Sequence, residues 1–203
     1  MTIEIAYLGI GSNLGNRNHN LLRAIKLLSR HATITDISSV YQTMPWGYSD
    51  QPYFLNIVCR LETTITAMDL LIITQCIEKT IGRTPTFLYG PRLIDIDILI
   101  YGNQIVETDH LKIPHPHINE RAFVLTPFAE IAASLIHPVT GKSISEHLEE
   151  VDGKVIEVKT SAEMIYELMV DLSLNTWLIP ESIYDEGRFK DSNSYYSLVG
   201  KDA

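Results

Sequence analysis

Apolar residues along this chain follow two alternating rhythms. Ile3 to Ile10 is dense in apolar residues and runs into Gly9-Ile10-Gly11-Ser12-Asn13-Leu14-Gly15, predicting a strand that ends in a turn. Leu21, Leu22, Ile25 and Leu28 then recur at helical spacing and predict a helix near Asn18 to Arg30. Thr33 to Tyr41 is rich in β-branched residues and predicts a second strand; Phe54 to Thr64 alternates and predicts a third. Between them Gln42 to Pro52 reads as a long loop holding Pro45, Gly47 and Pro52. Thr66 followed by Asp69 gives a capping-box-like start, Leu70, Ile73, Ile77 and Ile81 a buried stripe, and Gly82 a natural stop. A second loop, Arg83 to Pro91, leads into an apolar strand that closes at Gly102-Asn103. Residues 123–133 and 143–150 predict two more short helices.

The order β-α-β-β-α-β predicts an α+β fold of ferredoxin-like type, with helices packed on an antiparallel sheet and extra helices C-terminal to it. Residues 1–150 are expected to form this domain. Residues 151–203 read as an acidic, partly helical extension, with ten acidic against five basic residues. Thr160 and Glu163 start a helix there, and the polar run after Asp185 is expected to be disordered. The net charge of −9 argues against general affinity for nucleic acid or anionic membrane, so an anionic substrate must be met by local cations. No run approaches 18 apolar residues, and two cysteines, Cys59 and Cys76, make no disulfide framework. The expected setting is the cytoplasm.

Chemistry concentrates in Tyr89-Gly90-Pro91-Arg92-Leu93-Ile94-Asp95-Ile96-Asp97-Ile98-Leu99-Ile100. Strand side chains alternate faces, so Asp95 and Asp97 share one face and Ile94, Ile96 and Ile98 the other. Two carboxylates roughly 6 to 7 Å apart repel unless a cation joins them. Paired aspartates beside an arginine suit Mg²⁺ carrying a polyphosphate; a half-exposed strand whose aspartates face water is the plain alternative. Other motifs carry less. Gly9-x-Gly11-x-x-x-Gly15 is one residue too long for a dinucleotide fingerprint and reads as a tight strand-to-helix turn. Gly141-Lys142-Ser143 lacks the first glycine of a P-loop, and Pro114-His115-Pro116-His117 has no partner ligands nearby for zinc.

Taken in order, Gly9 to Gly15, Tyr41-Gln42-Thr43 with Asp50 to Asn56, Gly90-Pro91-Arg92, Asp95-Ile96-Asp97, and Pro114-His115 with Arg121-Ala122-Phe123 resemble the 6-hydroxymethyl-7,8-dihydropterin pyrophosphokinases of folate synthesis over residues 3 to 150. That family moves the terminal diphosphate of ATP to the hydroxymethyl group of a reduced pterin and releases AMP. The resemblance implies that Asp95 and Asp97 hold two Mg²⁺ ions and that Arg83, Arg92 and His115 join them as catalytic residues. It implies an ATP site of Leu71, Gln75, Glu78, Arg83, Arg92, Ile98, Lys112, His115 and Arg121. For the flat pterin it implies Phe54 and Phe123 as sandwiching rings, Asn56 and Thr43 as edge partners, and Met44, Pro45, Trp46 and Tyr89 as the rim. Other folate-pathway enzymes are implied as possible partners. Thr84 and Leu88 depart from frequent basic residues of the family, Tyr89 from a frequent tryptophan and His110 from an arginine of some relatives.

Two other classes share parts of this pattern: a binding module on the same fold with the acidic extension as its contact, and a metal-dependent phosphohydrolase using Asp95, Asp97 and His115. The phosphohydrolase has no need of Phe54, Asn56 and Phe123. The two long loops have the length of functional segments and are expected to close as lids over both substrates.

Overall fold

The computed structural model describes residues 2–151 and the backbone of residues 157–158. The expected helix at Thr160 and Glu163 and the run after Asp185 lie outside the described residues. The elements are β1 (Glu4–Ser12), α1 (Arg17–Leu28), β2 (Thr33–Ile37), β3 (Tyr41–Thr43), β4 (Phe54–Thr63), α2 (Ala67–Ile81), β5 (Asp95–Tyr101), β6 (Val106–Glu107), β7 (Lys112–Ile113), α3 (Ala122–Ala132), α4 (Ile144–Glu150) and β8 (Glu157–Val158). The main sheet runs β5-β1-β4-β3-β8, β2 pairs with β4 beside β3, and β6 and β7 form a separate hairpin. Every pairing between strands is antiparallel, as the ferredoxin-like order requires.

Both faces of the sheet are covered. Ala6, Leu8 and Ile10 of β1 and Ile96 and Ile98 of β5 pack with Leu21, Ala24, Ile25 and Leu28 of α1 and Leu70, Ile77 and Ile81 of α2. On the other face Tyr7, Val58, Leu99 and Ile100 pack with Val124, Leu125 and Phe128 of α3 and Ile144 of α4. Leu99 and Ile100 share that face because a bulge interrupts the alternation: Leu8 lies opposite Ile98 but Tyr7 opposite Ile100. Asp95 and Asp97 belong to the α3 face by parity with Leu99. They lie at the N-terminal end of β5, where the α3 face opens into a cleft instead of continuing the core. The carbonyl of Leu99 accepts the backbone N–H of His115 at 2.9 Å, so the bulge also anchors that histidine.

Two expectations change. Gly9 and Gly11 sit inside β1, not in the turn after it, because the pairing with β4 continues to Ser12 opposite Leu55. A Cβ on Gly11 would lie 2.6 Å from Asn56 Oδ1, and one on Gly9 3.4 Å from Leu99. The bare glycines keep the α3 face of β1 open beside the aspartates. The strand expected over Thr33 to Tyr41 is split at Ser38–Val40. Ser38 Oγ accepts the N–H of Val58 at 2.9 Å. Glu130 of α3 accepts the N–H of Ser39 at 2.8 Å, its hydroxyl at 2.7 Å and the hydroxyl of Tyr41 at 3.0 Å. Side-chain bonds thus replace part of the ladder there.

Asn16, Thr66 and Ser143 cap α1, α2 and α4, and Gly82 at φ 108° ends α2 in the left-handed region. Beside α4, His137 is 4% exposed, and its Nδ1 accepts the N–H groups of Val139 at 3.3 Å and Thr140 at 3.2 Å. Only a neutral ring can do this. Burial first, and the neighbouring His147 second, hold the His137 pKa below 6.5. A histidine kept neutral in the fold contributes stability that is whole above the unfolded pKa and is lost as pH falls through the folded one. The thermal midpoint is therefore expected to drop as pH is lowered from about 6.5. His137→Asn, whose amide oxygen accepts without titrating, should show a smaller drop; an equal drop would remove His137 from the cause.

Candidate active site

Glu78 of α2 organises one side of the acidic pair. It is buried, accepts the N–H of Ile96 at 2.8 Å between the two aspartates, and pairs with Arg83 just past the helix end. Burial raises its pKa against the opposing pull of Arg83. Burial lowers the pKa of Arg83, but the charges of Asp95 and Glu78 outweigh it and the net shift is upward. Arg83 Nη1 lies 2.7 Å from Asp95 Oδ1, and Arg92 Nη1 lies 3.3 Å from Asp95 Oδ2.

Asp97 is the more weakly neutralised of the two. Arg121 Nη1 is 3.6 Å and His115 Nε2 3.9 Å from its Oδ2. Withdrawal from solvent and the charge of Asp95 push its carboxyl up to about 7, against the pull of Arg121 and Arg92. Burial, with Arg121 and His117 nearby, pushes His115 down to about 4. Its Nδ1 accepts the N–H of His117 at 3.2 Å, which leaves the proton of the neutral ring on Nε2, facing Asp97.

The acidic pair opens on a cleft of about 240 Å³. Gly9 and Gly11 line it from β1, Thr43 and Asn56 from β3 and β4, and Phe54 and Phe123 add their rings. Asn56 Nδ2 donates to Thr43 Oγ1 at 2.7 Å, so the two polar groups act as one edge. The Arg92 guanidinium lies 5.6 Å from the centre of the Phe54 ring. Arg121, at the start of α3, lies 4.8 Å from the centre of Trp46 and 5.7 Å from that of Phe123. Met44, Trp46, Leu88 and Tyr89 complete the lining from the two long loops. Trp46 meets Tyr89 edge-on at 4.9 Å, and Tyr48 meets Phe87 at 5.0 Å, so the loops touch each other. Tyr89 has φ 60° and packs where a Cβ on Gly47 would come within 2.8 Å of its ring.

A second, more open cleft of about 540 Å³ adjoins the first and is lined by Gln75, Glu78, Lys79 and Thr84 among others. Arg83, Leu88, Tyr89 and Arg92 border both. Among the described residues, the Nε atoms of Arg92 and Arg121 are buried donors with no partner. Both belong to side chains that line the first cleft.

Of the residues expected at the site, these clefts gather Thr43, Met44, Trp46, Phe54, Asn56, Gln75, Glu78, Arg83, Tyr89, Arg92, Asp95, Asp97, His115, Arg121 and Phe123. Four lie elsewhere. Ile98 points into the core with α1 and α2, because parity puts it on the face opposite Asp97. Leu71 packs against the same core. Lys112 pairs with Glu107 at 3.5 Å in the small hairpin, and Pro45 is flanked by cleft residues without lining the cleft. Sequence reasoning missed Gly9 and Gly11 as lining residues and gave Asn13 no role, although all three lie in the first motif block.

The antiparallel α+β sheet thus carries an acidic pair set among arginines at the place where a cleft lined by aromatic side chains meets a wider groove. The family model for 7,8-dihydro-6-hydroxymethylpterin-pyrophosphokinase matches residues 7–133, and the chain belongs to that family. It is 46% identical over 130 residues to the 2-amino-4-hydroxy-6-hydroxymethyldihydropteridine pyrophosphokinase of Bacillus subtilis, covering 63% of this chain and 78% of that one. The Aquifex aeolicus protein of the same name is 41% identical over 144 residues, 71% of this chain and 90% of its own. The folic acid synthesis protein fol1 of Pneumocystis carinii is 36% identical over 91% of this chain, which spans only 26% of that protein's length. A crystal structure of Plasmodium falciparum HPPK-DHPS shares the fold at TM-score 0.62 and 15% identity, over 73% of this chain and 43% of that one.

Proposed function

We propose that residues 1–150 transfer the terminal diphosphate of ATP to the hydroxymethyl group of 6-hydroxymethyl-7,8-dihydropterin, releasing AMP, with residues 151–203 as an appended extension. The observation that carries this reading is the single junction at which the aromatic slot, the wider groove, the acidic pair and the unpartnered arginine donors meet. Phe54 and Phe123 take the faces of the pterin, and the Asn56–Thr43 edge takes its hydrogen-bonding rim. The phosphates lie over Arg83, Arg92 and Arg121, whose forked donors match phosphate oxygens. Neutral His115 donates from Nε2 without adding charge.

Asp95 and Asp97 fit Mg²⁺, two ions being the expected number: they are anionic oxygen donors on one face, and the shortest ion pair of Asp97 is the 3.6 Å one to Arg121. Held there by Asp95 and Asp97, Mg²⁺ would supply positive charge against the phosphates during an in-line displacement. The pterin oxygen forms a bond to the β-phosphorus as the bond to the bridging oxygen breaks. AMP leaves with that oxygen, and one of the two aspartates accepts the hydroxyl proton. Trp46 and Tyr89, which meet edge-on and line the cleft, exclude water as a competing acceptor.

Incubation with ATP, Mg²⁺ and the pterin should give AMP only when the pterin is present, and excess chelator should abolish it. AMP without pterin would mark a hydrolase, and no AMP at all would end the proposal. We place the reaction in the cytoplasm, which the free thiols of Cys59 and Cys76 support. Contact with other folate-pathway enzymes is supported by the names of the longer relatives. A pull-down that recovered no such enzyme would remove that part.

A further inference from the structure

Asn13, just past β1, is 2% exposed, and both polar atoms of its side chain are hydrogen-bonded. Its Oδ1 accepts the backbone N–H of Arg92 at 2.7 Å. Its Nδ2 donates one hydrogen to Gln51 Oε1 at 2.9 Å and the other to the Pro52 carbonyl at 3.1 Å. The backbone N–H of Asn13 donates to the Arg92 carbonyl at 3.2 Å, so Arg92 is gripped on both sides of its Cα. Gln51 Nε2 continues the network to the carbonyls of Tyr48 at 2.6 Å and Tyr89 at 2.8 Å. The end of β1 and both long loops thus meet in one set of hydrogen bonds.

We propose that Asn13 is a positioning residue for the transfer: it fixes Arg92 over the acidic pair and, through Gln51, holds both long loops in one register above the slot. The kinetic part rests on the proposed activity; the structural part does not. The chemistry demands asparagine, because one short planar group must accept once and donate twice. Aspartate loses both donors and buries a charge, and alanine loses all three bonds. The stakes lie in Arg92, which borders both clefts and stands 3.3 Å from Asp95. Misplacement of such a group by about 1 Å is enough to cost on the order of 100-fold in rate.

The test uses the full chain with Asn13→Ala, Gln51→Ala and the double variant. Asn13→Ala is expected to lower kcat roughly 10- to 100-fold, with KM for either substrate changing less than about threefold. The double variant is expected to lose less than the product of the two single losses, since the two side chains act in one network; a loss equal to that product would overturn the linkage. Hydrogen exchange of the free protein should speed up in residues 44–53 and in 83–94 together, leaving the amides of β1 and β4 unchanged. Faster exchange in one loop alone or in neither, unchanged kcat, or a loss confined to KM would each overturn the proposal. Should Asn13→Ala fail to fold, Gln51→Ala carries the same exchange test. If the parent protein gives no pterin-dependent AMP, the reaction is wrong, and the exchange result still decides whether Asn13 fixes the loops.

Discussion

Asp97→Asn is expected to lower turnover by several orders of magnitude while the folded protein melts at the same temperature or slightly higher. The two halves have one cause. Asp97 lies on a strand face with another carboxylate two residues away, and burial together with that neighbour raises its pKa to about 7. Its nearest cationic partner, Arg121, is 3.6 Å off, so the fold gains little from its charge. Asparagine keeps the shape and removes the repulsion from the fold. For the proposed reaction it removes one of the two carboxylates placed to hold Mg²⁺ beside the phosphates. Steady-state rates and thermal unfolding of the two proteins, measured side by side, check this. Near-parental turnover would remove Asp97 from the metal site, and a large fall in the midpoint would make it a structural residue.

Strand periodicity made half of that result readable from sequence: Asp95 and Asp97 share a face because alternation is strict, and Ile96 and Ile98 are core for the same reason. The same rule turns the Ile98 side chain away from the clefts, so any part it plays at the ATP site falls to its backbone. Helices α1 and α2 were legible because their apolar stripes and caps are local. What failed to show was whatever depends on distant partners. Nothing near Ser38–Val40 announces a break, because the acceptor that holds it open is Glu130, 91 residues from Ser39. Gly9 and Gly11 read as a turn because glycine usually marks one. Their purpose is visible only against Asn56 and Leu99 on neighbouring strands. The bulge at Leu99 leaves no mark in a run of apolar residues, since either face accepts leucine and isoleucine. The convergence of Arg83, Arg92 and Arg121 rested on resemblance, because spacing alone brings no two of them together. Asn13 stayed silent because a buried hub of this kind is defined by what it ties, not by its own pattern.

Arg92→Ala is expected to lower kcat/KM by roughly 100- to 1,000-fold, the range seen when a preorganised donor is removed from a transition state. The loss should exceed that of Asn13→Ala, which displaces the guanidinium without deleting it. The site itself survives the change: Asp95 keeps Arg83 at 2.7 Å, and the two hydrogen bonds between Asn13 and the Arg92 backbone need no Arg92 side chain. What disappears is a planar cation that reaches Asp95, lies over Phe54 and keeps a buried Nε without a partner. Arg92→Lys decides between charge and shape. Lysine restores a point charge but neither the fork nor the flat surface presented to the ring, so it should recover little of the loss. A lysine variant near parental rate would show that charge alone suffices, and the orphaned Nε would then lose its place in the mechanism. Varying ATP and pterin separately locates the effect. Because Arg92 borders both clefts, its removal should weaken the dependence on each substrate, whereas a change seen with ATP alone would confine it to the phosphates.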